Sequence, residues 1–357
     1  DGHRPFRSRT VPPPKPGCRT KNSGEAHFAF EIRRRCAIFA VMKNAIKLFS
    51  ALGERLRTFG CDDTSRCVIA QACAENGWFT PDDIRRAVKA LCDEMLQEET
   101  LGRWLELYPT LPVAKPRRVL VIMAGNIPLV GFFDLLCVVA SGHRCLVKPS
   151  AKDSALMLHV IGLLLDIDPE TAVEQYDGTA PVDAVIATGS DNANRYFRAR
   201  YAGIPALLRG SRQSVAVLSD DIWAYSGLGC RNVSLLFLPE GYTPQLHTPP
   251  MHPGYRNNCR QARALLTMQG REFLDWGDSV AVEQEEFPPM LSQVACAHYR
   301  STDEVAAWLA RHDERIQCVV TECLPHSRRV AFGQAQSPAL TDYPDDRDVM
   351  AWLAGLG

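Results

Sequence analysis

The chain is predicted to be an α/β protein in which a helical layer precedes a doubly wound parallel sheet, with a second α/β domain after it. Three observations lead there. Val119 to Met123, Leu129 to Ala140 and Cys145 to Val147 read as apolar strand, helix and apolar strand, the pattern of a right-handed parallel unit buried on both faces. The alternation returns with a strand from Asp183 to Ala187, a turn at Thr188-Gly189-Ser190, a helix from about Asp191 to Tyr201 and a strand from Ser214 to Leu218. Finally, 357 residues, 46% of them hydrophobic and 23% charged, suffice for two cooperating domains.

Residues 1–41 carry nine Lys and Arg against three acids, a Pro12 to Pro14 run and no sustained apolar period. Such a composition cannot bury a core, so a disordered extension is expected. It lacks the apolar stretch of a secretory signal. The first amphipathic pattern opens at Met42 with Ile46, Phe49, Leu52 and Leu56, and the folded protein is expected to start there. Farther on, Thr80-Pro81-Asp82-Asp83 combines an N-cap, a first-turn proline and early acids, and the helix it opens carries Ile84, Val88, Leu91 and Met95 on one face. This layer reads as packing. Toward the other end, a helix from Thr302 to Arg311 and a strand from Ile316 to Thr321 close a further α/β layer.

Composition excludes several classes. A net charge of -1 offers no electrostatic reason to expect nucleic acid, and no apolar run approaches the roughly 20 residues that span a bilayer. Thirteen cysteines, an odd and scattered set without a C-x-x-C pair, point to reduced thiols in the cytoplasm and to no metal site. His247 and His252 lie in a Pro- and Gly-rich loop and read as solvent-facing; Cys318 and Cys323 read as core or incidental thiols.

Neither G-x-G-x-x-G nor the P-loop pattern occurs, which disfavours an ordinary dinucleotide fold or NTPase. In their place the expected strand ends carry Gly125-Asn126-Ile127-Pro128, Lys148-Pro149-Ser150 and Thr188-Gly189-Ser190, and Gly229-Cys230 comes before an apolar stretch from Leu235 to Leu238. Cys230 has small flexible residues before it and Arg231 after it, a setting in which a substrate can approach a thiol and a cation can favour the thiolate.

That ordered set resembles the aldehyde dehydrogenase superfamily. Met123 to Phe132, Ala187 to Ser190, Tyr225 to Pro239 and Phe332 to Leu340 resemble more closely one branch, the acyl-CoA reductases related to the fatty acid reductase subunit of bacterial luminescence systems. The resemblance covers nearly everything from Met42 onward. It implies an aldehyde dehydrogenase-like fold with a cofactor-binding domain over 42–220, a catalytic domain over 221–330 and a C-terminal return segment over 331–357.

The resemblance also implies roles. Cys230 would be the nucleophile and Asn126 the donor to the oxyanion. Lys148, Ser150, Lys152, Thr188, Gly189 and Ser190 would bind a nicotinamide cofactor, with Ser190 also capping a helix. Glu286, in Glu285-Glu286-Phe287-Pro288-Pro289, resembles the family's Glu-x-Phe-Gly-Pro, although proline stands in the glycine position. Many NAD-dependent relatives carry Glu directly after Lys-Pro-Ser; here Ala151 and Lys152 follow, which favours NADPH. Where the oxidising enzymes have a water-activating Glu, this chain reads Arg209-Gly210-Ser211-Arg212-Gln213-Ser214, so no carboxylate is expected to make hydroxide and an acyl-enzyme would wait for hydride.

The implied activity is NADPH-dependent reduction of a long-chain acyl-CoA to the aldehyde through an acyl-cysteine. The implied partners are acyl-transferase or synthetase subunits of a fatty acid reductase complex, as in bioluminescence, and further copies of this chain in a homo-oligomer. A cysteine-dependent acyltransferase or thioesterase would use the same Cys230 without hydride transfer. A non-catalytic scaffold of dehydrogenase type is the other alternative.

Overall fold

A computed structural model describes residues 42–217 and 222–357. The extension expected over 1–41, the expected domain boundary after residue 220 and the last residue of the strand expected to end at Leu218 lie outside the described residues.

The helical layer follows the apolar periods. Helix α1 spans residues 42–56 and buries Phe49, Leu52 and Leu56. Helix α2 (Asp63–Glu75) is capped by Asp62, which accepts the Ser65 N–H. Helix α3 (Pro81–Ala90) starts where the capping residues place it, with the Thr80 hydroxyl oxygen accepting the Asp83 N–H at 3.1 Å. Its apolar face continues through a wider π turn, Leu91–Met95, before α4 (Glu98–Glu106).

The first sheet is five-stranded: β1 (Arg118–Ile122), β2 (Arg144–Lys148), β3 (Val173–Gln175), β4 (Ala184–Thr188) and β5 (Ala206–Arg209), all parallel, in the order β3-β2-β1-β4-β5. Val119, Val121, Cys145 and Val147 point to one face, packed with α1 to α4, α5 (Phe132–Ala140) and α6 (Ser154–Ile167); Leu120, Ile122, Leu146 and Val185 point to the other, against Phe197 and Tyr201 of α7 (Asp191–Arg200) and its end. Both faces are therefore covered, which is why these strands read as unbroken apolar runs. The strand order reverses between β1 and β4, so the turns after these two strands flank a topological switch point.

The second sheet has seven strands: β6 (Gln213–Val217), β7 (Val233–Pro239), β8 (Leu274–Asp275), β9 (Val280–Glu283), β10 (Gln293–Tyr299), β11 (Ile316–Val320) and β12 (Arg329–Val330), ordered β12-β11-β6-β7-β10-β9-β8. Only the short β8 is antiparallel to its neighbour. Helix α8 (Pro253–Met268) packs on β9, α9 (Thr302–His312) covers the face formed by Val215, Phe237 and Ala297, and α10 (Val349–Ala354) returns to the core of the first sheet through Val349, Met350 and Leu353.

One strand changes sheets relative to the sequence reading. Ser214 onward reads as a continuation of the first sheet, but β6 is hydrogen-bonded between β7 and β11 of the second. The link from β5 to β6 is only Gly210-Ser211-Arg212. A tether that short cannot return the chain to lie parallel beside β5, because parallel neighbours need a crossover of a dozen or more residues. It carries the chain forward instead, so that the carboxyl end of the first sheet meets the amino end of the second.

Candidate active site

A cavity of about 810 Å³ occupies that junction. The first sheet contributes the turns after its strands: Gly125 and Asn126 after β1, Ser150 and Lys152 after β2, Thr188-Gly189-Ser190 after β4, and Arg209 to Arg212 after β5. The second sheet contributes the starts of its strands, through Gln213, Cys230, Asn232 to Ser234, Gln293 and Gln317. The thiol therefore reaches the cavity from the amino end of β7, opposite the strand ends that carry the other motifs.

The Cys230 loop is held under backbone strain. Tyr225 and Ser226, at φ 48° and 51°, precede Gly227 at φ 72°, three left-handed residues in succession, of which only glycine takes that conformation without cost. Asn232, 5% exposed, anchors the loop: its Oδ1 accepts the Gly229 N–H at 3.1 Å, and its Nδ2 donates to the carbonyls of Ile222 and Ala224 at 3.1 and 2.6 Å. Gly229 allows that contact, since a Cβ there would stand 2.8 Å from Asn232 Oδ1. From the other side, buried Ser214 donates its hydroxyl to the Cys230 carbonyl at 2.8 Å. Sequence reading passed over both residues. Their signal was a polar side chain beside an apolar strand start.

The thiol opens to the cavity, yet protein packs deeply around it. Burial pushes its pKa up to about 11, by more than the Arg231 guanidinium lowers it. The Arg231 cation thus favours the thiolate, as its place beside Cys230 suggests, but by less than burial opposes it. Arg231 faces the C-terminal segment, with Nε donating to the Ala335 carbonyl at 2.5 Å and the guanidinium 3.6 Å from Asp342, and the residue leads into a strand, not a helix. At neutral pH this keeps the thiol in its protonated form. A nucleophile in this state needs a proton acceptor.

Asn126 donates its Nδ2 to the Leu228 carbonyl at 2.7 Å, which ties the β1 turn to the cysteine loop. One amide hydrogen is thus engaged, and the NH2 group has a second to give. Gly125 lets this turn pass close to the next: a Cβ on it would lie 2.5 Å from Ser150 Oγ. Just beyond, Leu129 at φ 57° gives its N–H to Asp153 Oδ2 at 2.8 Å. Asp153 is 2% exposed and burial raises its carboxyl pKa to about 8. A buried acid with a raised folded pKa contributes most below its unfolded pKa of 3.8, and that contribution is lost as the pH rises through 8. Asp153→Asn, which keeps an acceptor for Leu129, is accordingly expected to match the wild type in thermal unfolding near pH 4 and to exceed it above pH 8; equal melting temperatures at both would contradict this.

The cofactor-type residues divide. Ser150, Lys152, Thr188, Gly189 and Ser190 line the cavity together, and Ser190 caps α7, its Oγ accepting the Ala193 N–H at 3.3 Å. Lys148 ends β2 exposed, outside the lining residues. Glu286 also lies outside them: its carboxylate pairs with Arg315 at 3.2 Å and with His312 at 3.9 Å, while the neighbouring Pro288 and Pro289 reach the cavity.

The Arg209–Ser214 stretch carries no carboxylate, but one reaches the cavity from another part of the chain. Among the described residues Asp345 is the one acid lining the cavity, brought in by the C-terminal segment, with its side chain 6% exposed and Oδ1 3.4 Å from Arg212 Nε. Arg209, the last residue of β5, is buried against α5, where its NH1 bridges both carboxylate oxygens of Asp134 at 2.8 Å. Among the described residues no grouping of His, Cys, Asp and Glu is suited to a metal; His252 instead caps α8 by accepting the Gly254 N–H. No helix among them is long and apolar enough to cross a membrane.

The comparisons agree with this geometry. The family model described as acyl-CoA reductase (LuxC) matches residues 68–226. No curated protein that was compared matches the sequence. Aldehyde dehydrogenase 21 from Physcomitrella patens, solved with its reaction product succinate, is 12% identical, with a TM-score of 0.62 over 90% of this chain and 86% of its own. An oxidoreductase from Marinobacter aquaeolei is 11% identical, with a TM-score of 0.59 over 84% and 79%. Succinic semialdehyde dehydrogenase from Streptococcus pyogenes, solved with NADP+, is 11% identical, with a TM-score of 0.55 over 81% and 80%. The chain has the fold of the aldehyde dehydrogenases, and over residues 68–226 it matches the acyl-CoA reductase family within it.

Proposed function

We propose that the protein is an NADPH-dependent acyl-CoA reductase that forms a fatty aldehyde through an acyl-Cys230 intermediate. The observation that carries this reading is the meeting of Cys230, tethered to Asn126 through the 2.7 Å bond to Leu228, with the Ser150–Lys152 and Thr188–Ser190 turns on one cavity. The family match supports acyl-CoA as substrate.

The residues fit a nicotinamide dinucleotide. Gly189 faces only Ala193 Cβ at 3.0 Å and Phe197, and lets a ligand approach the backbone ahead of α7, whose N-terminus favours phosphate. When bound, the reduced nicotinamide supplies hydride to the acyl carbon. In the first stage Cys230 sulfur attacks the thioester carbonyl and coenzyme A leaves. The second Asn126 amide hydrogen and the Cys230 backbone N–H would hold the oxygen that becomes negative. In the second stage the acyl thioester becomes a thiohemiacetal, which collapses to aldehyde and returns the thiol.

For the 2'-phosphate, Ala151 and Lys152 follow Ser150, so no acid repels it and a cation stands by. Lys152→Glu is expected to raise the KM for NADPH by about tenfold, the equivalent of roughly 1.4 kcal/mol of lost binding, with the KM for NADH unchanged or lower. Equal effects on both cofactors would remove Lys152 from that role. The reading as a whole is tested by absorbance at the NADPH band with long-chain acyl-CoA present. Acyl-dependent NADPH loss with aldehyde formed supports it; free coenzyme A without NADPH loss makes the protein an acyltransferase or thioesterase. The long acyl chain, the homo-oligomer and the synthetase and transferase partners rest on the family resemblance and belong to this proposal.

A further inference from the structure

We propose that Asp345 is the proton acceptor for Cys230. This rests on the acyl-CoA reductase reading above. The thiol is held mostly protonated by its surroundings, so transfer of an acyl group to it requires that the proton leave as sulfur attacks. Among the described residues lining the cavity, the cations are Lys152, Arg209 and Arg212, the remaining side chains are neutral, and Asp345 is the one carboxylate.

Three features mark it as built for a task. Its side chain is 6% exposed yet lines the cavity that holds the thiol. Its backbone is left-handed, φ 60°, as is that of Asp346 at φ 54°, in a turn whose Asp345 N–H donates to Gln317 Oε1 at 3.4 Å; such strain persists only where the surroundings enforce it. Arg212, its ion-pair partner at 3.4 Å, comes from the link that joins the two sheets, so the carboxylate is tied to the junction itself. Burial also raises its pKa, opposed by Arg212, Arg209, Arg347 and Arg328, which makes it a stronger base than a solvated aspartate; its charge in turn raises the pKa of the Cys230 thiol.

The step balances without any added reagent. The Cys230 S–H proton passes to an Asp345 oxygen as sulfur bonds to the acyl carbon. The bond from carbon to the coenzyme A sulfur then breaks, and the same proton passes from Asp345 to the departing thiolate. The enzyme ends as acyl-Cys230 with Asp345 ionised, and coenzyme A leaves as the thiol.

The test measures two rates on the full chain and on Asp345→Asn: coenzyme A released in the first turnover from a long-chain acyl-CoA, and alkylation of Cys230 by iodoacetamide between pH 7 and 10. Loss of a base should slow coenzyme A release by about a hundredfold or more, while loss of its negative charge lowers the thiol pKa and speeds alkylation. A role in packing alone would not move the two in opposite directions, and continued alkylation at Cys230 shows that the cavity is intact. Coenzyme A release at the wild-type rate in the variant would overturn the inference alone, as would a parallel fall in both rates. A wild type that alkylates at Cys230 but releases no coenzyme A would overturn the proposed function, and this inference with it.

Discussion

Cys230→Ala is expected to abolish acyl-dependent NADPH oxidation, by about a thousandfold or more, while leaving the affinity for NADPH close to that of the wild type. The covalent step has no substitute in the cavity: of the described residues that line it, Cys230 is the one bearing a thiol. The turns after β2 and β4 proposed to hold the cofactor belong to the other sheet, so the substitution leaves them in place. Stopped-flow absorbance with acyl-CoA, beside fluorescence titration of NADPH, separates the two effects. Aldehyde formation by the alanine variant at more than a few per cent of the wild-type rate would show that another group accepts the acyl chain. Cys230→Ser is expected to resemble alanine, because a hydroxyl in the same place is a far weaker acid than the thiol.

Asp134→Ala is expected to cost about 3–5 kcal/mol of folding stability. Asp134 and Arg209 are 6% and 4% exposed, and the guanidinium holds both carboxylate oxygens. With the carboxylate removed, a buried cation is left unpaired, with its Nε and second terminal nitrogen already lacking partners. Urea unfolding of the variant should show the loss as a lower midpoint. The double change Asp134→Leu with Arg209→Met should recover most of it, since an apolar pair of similar volume removes both charges together. A single-variant loss below 1 kcal/mol, or a double variant no better than the single, would contradict this account. Because Arg209 immediately precedes the link into β6, the single variant should also weaken catalysis through the placement of Arg212 and Asp345.

Much of the architecture was written locally. Thr80 and Pro81 start α3 because a hydroxyl acceptor and a missing N–H suit a helix N-terminus wherever they occur, and Ser190 caps α7 for the same reason. The apolar runs of β1 and β4 identify buried parallel strands because both faces of such a sheet must be covered. The turns Gly125-Asn126, Ser150 to Lys152 and Thr188 to Ser190 share one cavity with Cys230. Lys148 sits in a Lys-Pro-Ser like the family's and Glu286 in a looser match with proline for glycine, yet both lie outside the lining, Lys148 exposed at the end of β2 and Glu286 paired with Arg315.

Other features depend on distances across the fold that no local pattern encodes. Ser214 reads as one more strand of the first sheet, and only the shortness of the Gly210-Ser211-Arg212 link sends β6 into the second. The state of the Cys230 thiol follows from how much protein surrounds it, a quantity summed over both sheets and the C-terminal segment, and so Arg231 beside it in sequence does not decide its pKa. Asp345 stands 115 positions beyond Cys230. Residue type, capping and alternation are properties of neighbours along the chain and can be read there, whereas burial and the pairing of charges across a cavity arise only once the chain has folded back upon itself.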